Sequence, residues 1–438
     1  MLTPLLLVAL AQAPGPLPLV FIGVDGLRPD CVLEADRHGL RIPELRRMLA
    51  EGAWATGVRG VLPTVTYPSF TTLITGVWPA RHGIVANTTF DPLQRNAGGW
   101  YWYAEDIRVP TLWDAFRTAG RKVAIVHWPV SVGATATWNL PQLWRSGMPD
   151  DRKLIRALAT PGLIAALEPE VGMPYPDGID ESLPADVARG RFAEALLRRR
   201  PALLTAYFTA LDHVEHEHGP FSPEANRTLE RIDSIIGRLR AAARRVYGDR
   251  VVFAIASDHG FAAVTRQVNL PVLLAGAGLL RYGADGKPSE WQATVWSAGG
   301  SAAVILKDPA DSATARQVRE GFERAARDTA SGIARLLSGE QAETMGGFPA
   351  AALVVGLRPG FQSGGNSSGE LVTATAPGGA HGYLPDIPEM RSAFFVMGPG
   401  VAAGRSLGEI DMRVIAPTLA RLAGLRLPSA SVAPLHLR

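Results

Sequence analysis

Residues 19–24 read LVFIGV, an unbroken apolar run that stops on Asp25 and Gly26. The pattern recurs in LLTAYFTALD, which ends on Asp212, and in VVFAIASD, which ends on Asp258. Runs that are apolar throughout, rather than at alternate positions, predict strands covered on both faces, as in parallel sheets. Helical spacing fills the intervals. Residues 224–246 put Leu229, Ile232, Ile235, Ile236 and Leu239 on one face and predict a long amphipathic helix. SFTTLITG predicts a short helix stopped by Gly76. PTLWDAFRTAGRKVAIVHWP predicts a helix, a glycine and a strand ending near His127. Residues 151–200 read as helical with a Pro/Gly-rich break at 169–184, and the Gly/Ser/Asn stretch 363–369 as a mobile loop. SAFFVMGPGV adds a late strand, and residues 414–424 a closing helix. This alternation predicts an α/β fold with a mostly parallel central sheet.

Why would buried strands end on carboxylates? An Asp-Gly pair ordinarily opens a turn, and for Asp25 alone that is the simpler reading. Ligands of open α/β sheets, however, gather beyond the carboxyl ends of the strands. Three strands delivering Asp25, Asp212 and Asp258 to one edge therefore predict a cation site. Histidine is scarce, nine in 438 residues, and it clusters in LDHVEHEHGP, SDHG and GGAHGY. Mixed imidazole and carboxylate donors suit zinc better than magnesium or calcium. Asp212 and His216, four apart, can converge on one ion from a helical turn. His38, His127 and His436 stand alone and read as core or surface residues.

A hydroxyl candidate lies in LPTVTYPSFTTLITG, where Thr66 stands just before the short helix and Pro68 in its first turn. Unpaired N–H groups at a helix start attract phosphate. Thr66 as a plain helix cap is the competing reading. Thr64, Ser69, Thr71 and Thr72 are close by, and spacing does not choose among them.

Composition narrows the class. The chain is 47% hydrophobic and 19% charged, enough for a large core. Lys and Arg total 44 against 41 Asp and Glu, a formal charge of +3, and no aromatic-interleaved basic stripe suggests nucleic-acid polymer binding. One cysteine, Cys31, excludes internal disulfides and thiolate metal sites and reads as a small buried hydrophobe. MLTPLLLVALAQA resembles a secretory signal over residues 1–13, implying a periplasmic or secreted protein, although no Lys or Arg precedes its apolar core. No later run is long enough for a transmembrane span. In the Trp- and Tyr-rich 100–104 stretch, WYWY reads equally as a base-stacking surface or as packing beneath a loop.

VDGLRPD, PTVTYPSFTTLITGVWPARHGIVAN, PTLWDAFRTAGRKVAIVHWP, DHVEHEHGP, SDHGF and AHGYLP occur in an order that resembles the nucleotide pyrophosphatase/phosphodiesterase branch of the alkaline phosphatase superfamily. The resemblance spans residues 19 to about 400. It implies an alkaline-phosphatase-like three-layer sandwich, with one catalytic domain over 17–438 and insertions near 140–190 and 265–375. It also implies two Zn2+ ions, one held by Asp25, Asp258, His259 and the Thr66 oxygen, the other by Asp212, His216 and His381. Thr66 would be the nucleophile, and Asn87 would donate to a phosphoryl oxygen. His213, Glu215 and His218 miss the ligand positions, and His82 reads as structural. The implied reaction is hydrolysis of a small phosphodiester or nucleotide through a phospho-threonine. Phosphomonoesterase and phosphonate hydrolase remain alternatives on the same site.

Overall fold

In the computed structural model, residues 16–96, 99–144 and 150–438 are described. The signal-like residues 1–13 lie outside them, as does part of the 140–190 stretch.

An eight-stranded sheet organises the chain. Its strands are β1 (Leu19–Val24), β2 (Ala53–Trp54), β3 (Val123–Val126), β4 (Trp138–Leu140), β5 (Leu203–Phe208), β6 (Val252–Ala256), β7 (Phe394–Met397) and β8 (Arg405–Ser406), in the spatial order β8-β2-β7-β6-β1-β5-β3-β4. From β6 to β4 every pairing is parallel, and β7 alone runs antiparallel to both neighbours. Each parallel strand is apolar on both faces because each face has a helical layer. On one face Val20, Ile22 and Val24 of β1 join Leu45 and Met48 of the Pro43–Glu51 helix, Phe192 and Leu196 of Leu183–Arg198, and Ile232 and Ile236 of Pro223–Tyr247. On the other, Leu19 and Phe21 join Phe70 and Ile74 of the Thr66–Thr75 helix, with Phe116 and Leu419. Fully burying one such side chain contributes roughly 1.5–3 kcal/mol.

The Thr66–Thr75 helix is buried at all ten positions and ends on the left-handed Gly76. It lies directly on β1 because Gly23 has no side chain; a Cβ there would come within 2.3 Å of the Phe70 ring. Pro223–Tyr247 presents the apolar face that its spacing predicts, and its Asp233 accepts hydrogen bonds from the backbone of Glu44 and Leu45, holding the start of the neighbouring helix.

Between β6 and β7 the chain builds a second unit with its own apolar core. A four-stranded sheet comprises Ala293–Ser297, Ser301–Leu306, Ala351–Leu357 and Ile333–Ser338, and a three-stranded one comprises Gly360–Ser363, Ala262–Val268 and Val372–Ala380. Two expectations shift here. Ser363 ends a strand rather than opening a loop, and Asn366 is tied by its N–H to Asn269. The helical break at 169–184 narrows, since Leu163–Val171 carries Pro169 inside the helix and Leu183 already begins the next one.

Candidate active site

The parallel strands deliver their carboxylates to a single edge. Asp25 follows β1 directly, with its N–H on the Phe208 carbonyl of β5, and Asp258 follows β6 by two residues. Asp212 and His216 sit one turn apart on the Ala210–His218 helix that leaves β5. That helix starts where it does because Asp186 accepts from the N–H groups of Thr209 and Ala210, and Asp186 is in turn paired with the buried Arg189 at 2.9 Å. Arg189 also donates to the carbonyls of Asp177 and Asp180, which braces the loop that carries Glu181.

The small sheet supplies the last ligand candidate. Ala380 pairs with Ala262, so the strand that returns from the second unit carries His381 back over His259. Their rings stack with centroids 3.7 Å apart and 6° between planes. Gly378 and Gly379 make this approach possible, since a Cβ on either would lie 2.4 or 2.5 Å from the carbonyl oxygens of His216 and Glu215.

Two triads result, Asp25–Asp258–His259 and Asp212–His216–His381, each with donor atoms within 4.8 Å of one another. They adjoin: Asp212 Oδ1 is 4.0 Å from His259 Nε2 and 3.7 Å from His381 Nε2. Among the described residues Asp25 Oδ1, Asp212 Oδ1, Asp258 Oδ2 and His259 Nε2 are buried with no hydrogen-bond partner, and they crowd together, His259 Nε2 lying 3.0 Å from Asp258 Oδ2 and 3.4 Å from Asp25 Oδ1. Unpaired buried acceptors are costly, and four converging on one place fit a cation in a way an empty core does not. The imidazoles agree. Each Nδ1 lies 3.1 Å from a backbone carbonyl, that of Gly379 for His216, Gly260 for His259 and Thr64 for His381. With the proton on Nδ1, the Nε2 lone pair of each faces the cluster, the arrangement expected of metal-binding histidines. Burial holds these rings neutral, lowering His216 to about 4 and His381 well below the usual range. Burial likewise raises Asp25 and Asp212 well above the ordinary carboxylate range, reinforced by their neighbours' charges, and raises Asp258 to about 6.

Thr66 is the first residue of its helix rather than the one before it. Val65 holds the cap position without a side-chain bond, which sets aside the plain capping role. The other hydroxyls of this stretch are engaged or sealed. Thr64 donates to the Tyr383 carbonyl, Thr71 to Tyr67, Thr72 to Val77, and Ser69 is wholly buried. Thr66 keeps 8% exposure, and among the described residues its hydroxyl has no partner. The helix start is fixed against the metal candidates from both sides: Phe70 packs on Gly23, two residues ahead of Asp25, and the Thr64 carbonyl accepts from both His381 Nδ1 and the Gly382 N–H. In the first turn the Tyr67 N–H goes to Asn87 Oδ1 at 2.9 Å, Pro68 has none, and Ser69 donates to Val65. Among the described residues nothing accepts from the Thr66 N–H. Anchoring its oxygen on Tyr67 leaves Asn87 with its amide nitrogen as the group able to donate.

The remaining polar residues fall outside the triads. His82 is buried on Thr72 and Ile84, with burial lowering it to about 3. His213 lies by Glu181 and Glu217, and His218 by Glu217. His38 stacks on Phe221, and His127 on Tyr207. Glu215 is buried, with one oxygen that has no partner among the described residues. Cys31 is buried, as its isolation predicts. The aromatic stretch divides: Trp102 packs into the core, Trp100 lies 5.2 Å from the Tyr67 ring beside the nucleophile candidate, and Tyr103 is exposed. Two neighbours escape the sequence reading. Tyr207 donates to Asp25 Oδ2 from inside an apolar strand, and Glu181 raises Asp212 by its charge.

The family model described as type I phosphodiesterase / nucleotide pyrophosphatase matches residues 19–384. Human ectonucleotide pyrophosphatase/phosphodiesterase family member 1 is 23% identical over 255 residues, covering 56% of this chain and 23% of that protein. An uncharacterized pyrophosphatase/phosphodiesterase of Schizosaccharomyces pombe is 27% identical over 251 residues, covering 56% of this chain and 44% of its own length. The match thus spans less than half of either relative. Human ectonucleotide pyrophosphatase/phosphodiesterase 5 superposes with a TM-score of 0.65 at 19% identity, covering 96% of both chains. Its murine counterpart, solved as an inactive variant with AMP, gives 0.61 at 18% identity, covering 94% of this chain and 96% of that one.

Proposed function

Because the chain belongs to the type I phosphodiesterase / nucleotide pyrophosphatase family, we propose that it hydrolyses phosphodiester or pyrophosphate bonds of small nucleotide-type substrates, with Thr66 as nucleophile and two Zn2+ ions as cofactors. The observation that carries this reading is the Thr66 hydroxyl, without a partner among the described residues, at a helix start braced against two triads of metal-ligand type, four of whose buried atoms lack a hydrogen-bond partner among the described residues. Asp25, Asp258 and His259 would hold one ion, and Asp212, His216 and His381 the other; mixed nitrogen and oxygen donors favour zinc. When bound, such a pair supplies Lewis-acid charge beside the attacking and departing oxygens.

The chain's own residues supply the rest. Thr66 Oγ1 attacks phosphorus, its O–P bond forming as the departing oxygen leaves with its electron pair, and the hydroxyl proton is lost to solvent. Water then cleaves the phospho-threonine ester and restores the hydroxyl. The Asn87 amide and the Thr66 N–H donate to a non-bridging oxygen, each such donor typically worth about 10²–10³ in rate. Tyr207 holds Asp25 in place through its hydroxyl. A nucleotide substrate is supported by the AMP complex of the murine neighbour. We extend the proposal to export from the cytoplasm, on the N-terminal pattern; among the described residues no helix is long and apolar enough to cross a membrane.

Preference for diesters over monoesters follows from the neighbouring cations. A monoester brings a second charge, yet Arg28 is engaged by Asp30 and the Phe261 carbonyl, and Arg189 is buried on Asp186. Rates of the zinc-loaded chain on bis-p-nitrophenyl phosphate and p-nitrophenyl phosphate test this. The diester should dominate; a faster monoester would move the assignment to phosphomonoesterase.

A further inference from the structure

The two edges of the parallel sheet carry opposite charge. The carboxyl edge holds Asp25, Asp212 and Asp258, with Glu181 and the buried Glu215 beside them. At the amino edge, the segments entering the strands read GRK before β3, RRRPA before β5 and GDR before β6. Main-chain bonds join these entries into one row. The Ala202 N–H donates to the Lys122 carbonyl at 2.8 Å, Leu19 to Ala202 at 2.9 Å, and Val252 to Pro18 at 2.9 Å. Lys122, Arg198, Arg200 and Arg250 are exposed along the row. The carboxylates paired with it are Asp249, held by Arg244 at 2.7 Å, and Glu170, shared by Arg198 and Arg199. The formal charge of +3 is thus the small remainder of two separated poles.

Next to Arg250 the amino edge opens into a cavity of about 620 Å³. Its apolar lining comes from Leu17, Pro399, Leu422 and Leu437, and its polar lining from Arg250, Arg421, His436 and Arg438. Among the described residues no Asp or Glu side chain lines it. Arg421 donates to the Leu435 carbonyl and Arg405 to the Arg438 carbonyl, so the rim is tied to the body of the fold. A cationic rim over an apolar floor suits an anion with an apolar body, its phosphate on the guanidinium groups and its first methylenes on the leucines. Nucleic acid is the poorer fit, since the lining offers no Phe, Tyr or Trp among the described residues on which a base would stack. Pro16 lines the same cavity, so the signal-like apolar run 1–13 joins the fold at this pole.

We infer that the amino edge of the sheet is a docking surface for a bilayer containing anionic phospholipid, with one headgroup seated among Arg250, Arg421 and Arg438. The inference stands apart from the reaction at the other edge. β1 has six residues, and at about 3.3 Å each it holds the candidate site roughly 20 Å from the lipid and facing away from it. Soluble substrate reaches the site of a docked molecule, so docking and turnover are separable.

Sedimentation of the full chain with vesicles tests the surface. The chain should bind vesicles of equal parts phosphatidylglycerol and phosphatidylcholine, pass over pure phosphatidylcholine, and be released as salt shortens the screening length below about 10 Å. Arg250→Gln combined with Arg438→Gln should weaken binding about 30-fold, near fivefold for each cation removed. Arg250→Lys combined with Arg438→Lys should preserve it. Both pairs should melt like the parent and keep its rate on bis-p-nitrophenyl phosphate. Equal binding to the two kinds of vesicle, or binding that survives salt and the glutamine pair, would assign attachment to residues 1–13 and overturn the docking surface. A single-stranded oligonucleotide held as tightly as the anionic vesicles would overturn it in favour of a nucleic-acid face. Failure to bind either vesicle would overturn it and leave the phosphodiesterase reading untouched.

Discussion

Asp25, Asp258 and His259 are sealed, with side chains 4, 0 and 0% exposed, whereas Asp212, His216 and His381 are 13, 43 and 12% exposed. The difference follows from where each triad is built. The inner one hangs from the ends of two adjacent parallel strands, β1 and β6, and inherits the rigidity of the sheet. The outer one is assembled from a single helical turn and the glycine-rich return of the second unit, so it faces solvent and depends on contacts made late in the chain. A sealed triad can retain a cation, and an open one can admit substrate and water to its own.

The largest expected effect does not distinguish the triads and so serves as the reference. Thr66→Ala should lower turnover by more than about 10⁴-fold while both ions remain bound, as measured by steady-state kinetics and elemental analysis. Near-normal activity would remove Thr66 from the mechanism. Next, His216→Ala should weaken one zinc by more than about 100-fold and leave the other, seen as half the metal content after mild chelation. If the inner ion were lost first, the burial contrast would have no bearing on retention.

The smallest effect concerns stability in the absence of metal. Burial raises Asp258 to about 6, so folding favours its protonated form. That contribution is complete below the unfolded value near 3.8 and is lost as pH rises through about 6. Asp258→Asn, uncharged throughout, should therefore stabilise the stripped chain at pH 7 while abolishing inner-site binding. Thermal melts from pH 4 to 7 measure both. With the native aspartate, the gap in Tm between zinc-loaded and stripped chains should widen through pH 6, as protons cease to compete for the carboxylate.

The sheet edge was legible because three apolar runs end on Asp25, Asp212 and Asp258, and an unbroken buried strand has little other reason to finish on a charge. Local spacing also exposed the Asp212–His216 turn. The proposed nucleophile was harder: Thr64, Ser69, Thr71 and Thr72 differ from Thr66 only in what their hydroxyls meet, which is a matter of tertiary hydrogen bonding. Tyr207 was hidden because its ring counts toward an apolar run while its hydroxyl acts beyond it. Glu181 reaches the site through a loop braced by Arg189, a contact that no periodicity records. The strand pairings of the second unit were equally out of reach, since short runs such as SAAVIL carry no signal for their partners.

The three imidazoles take their orientation from the carbonyl oxygens of Gly379, Gly260 and Thr64. A carbonyl belongs to the main chain and survives any substitution that keeps the local path. Side chains around the centre can therefore drift without turning a donor away from its target. For a protein sharing only 19% of its residues with a chain of the same fold, this is a route by which new pockets can be tried at the rim while the aim of the centre stays put.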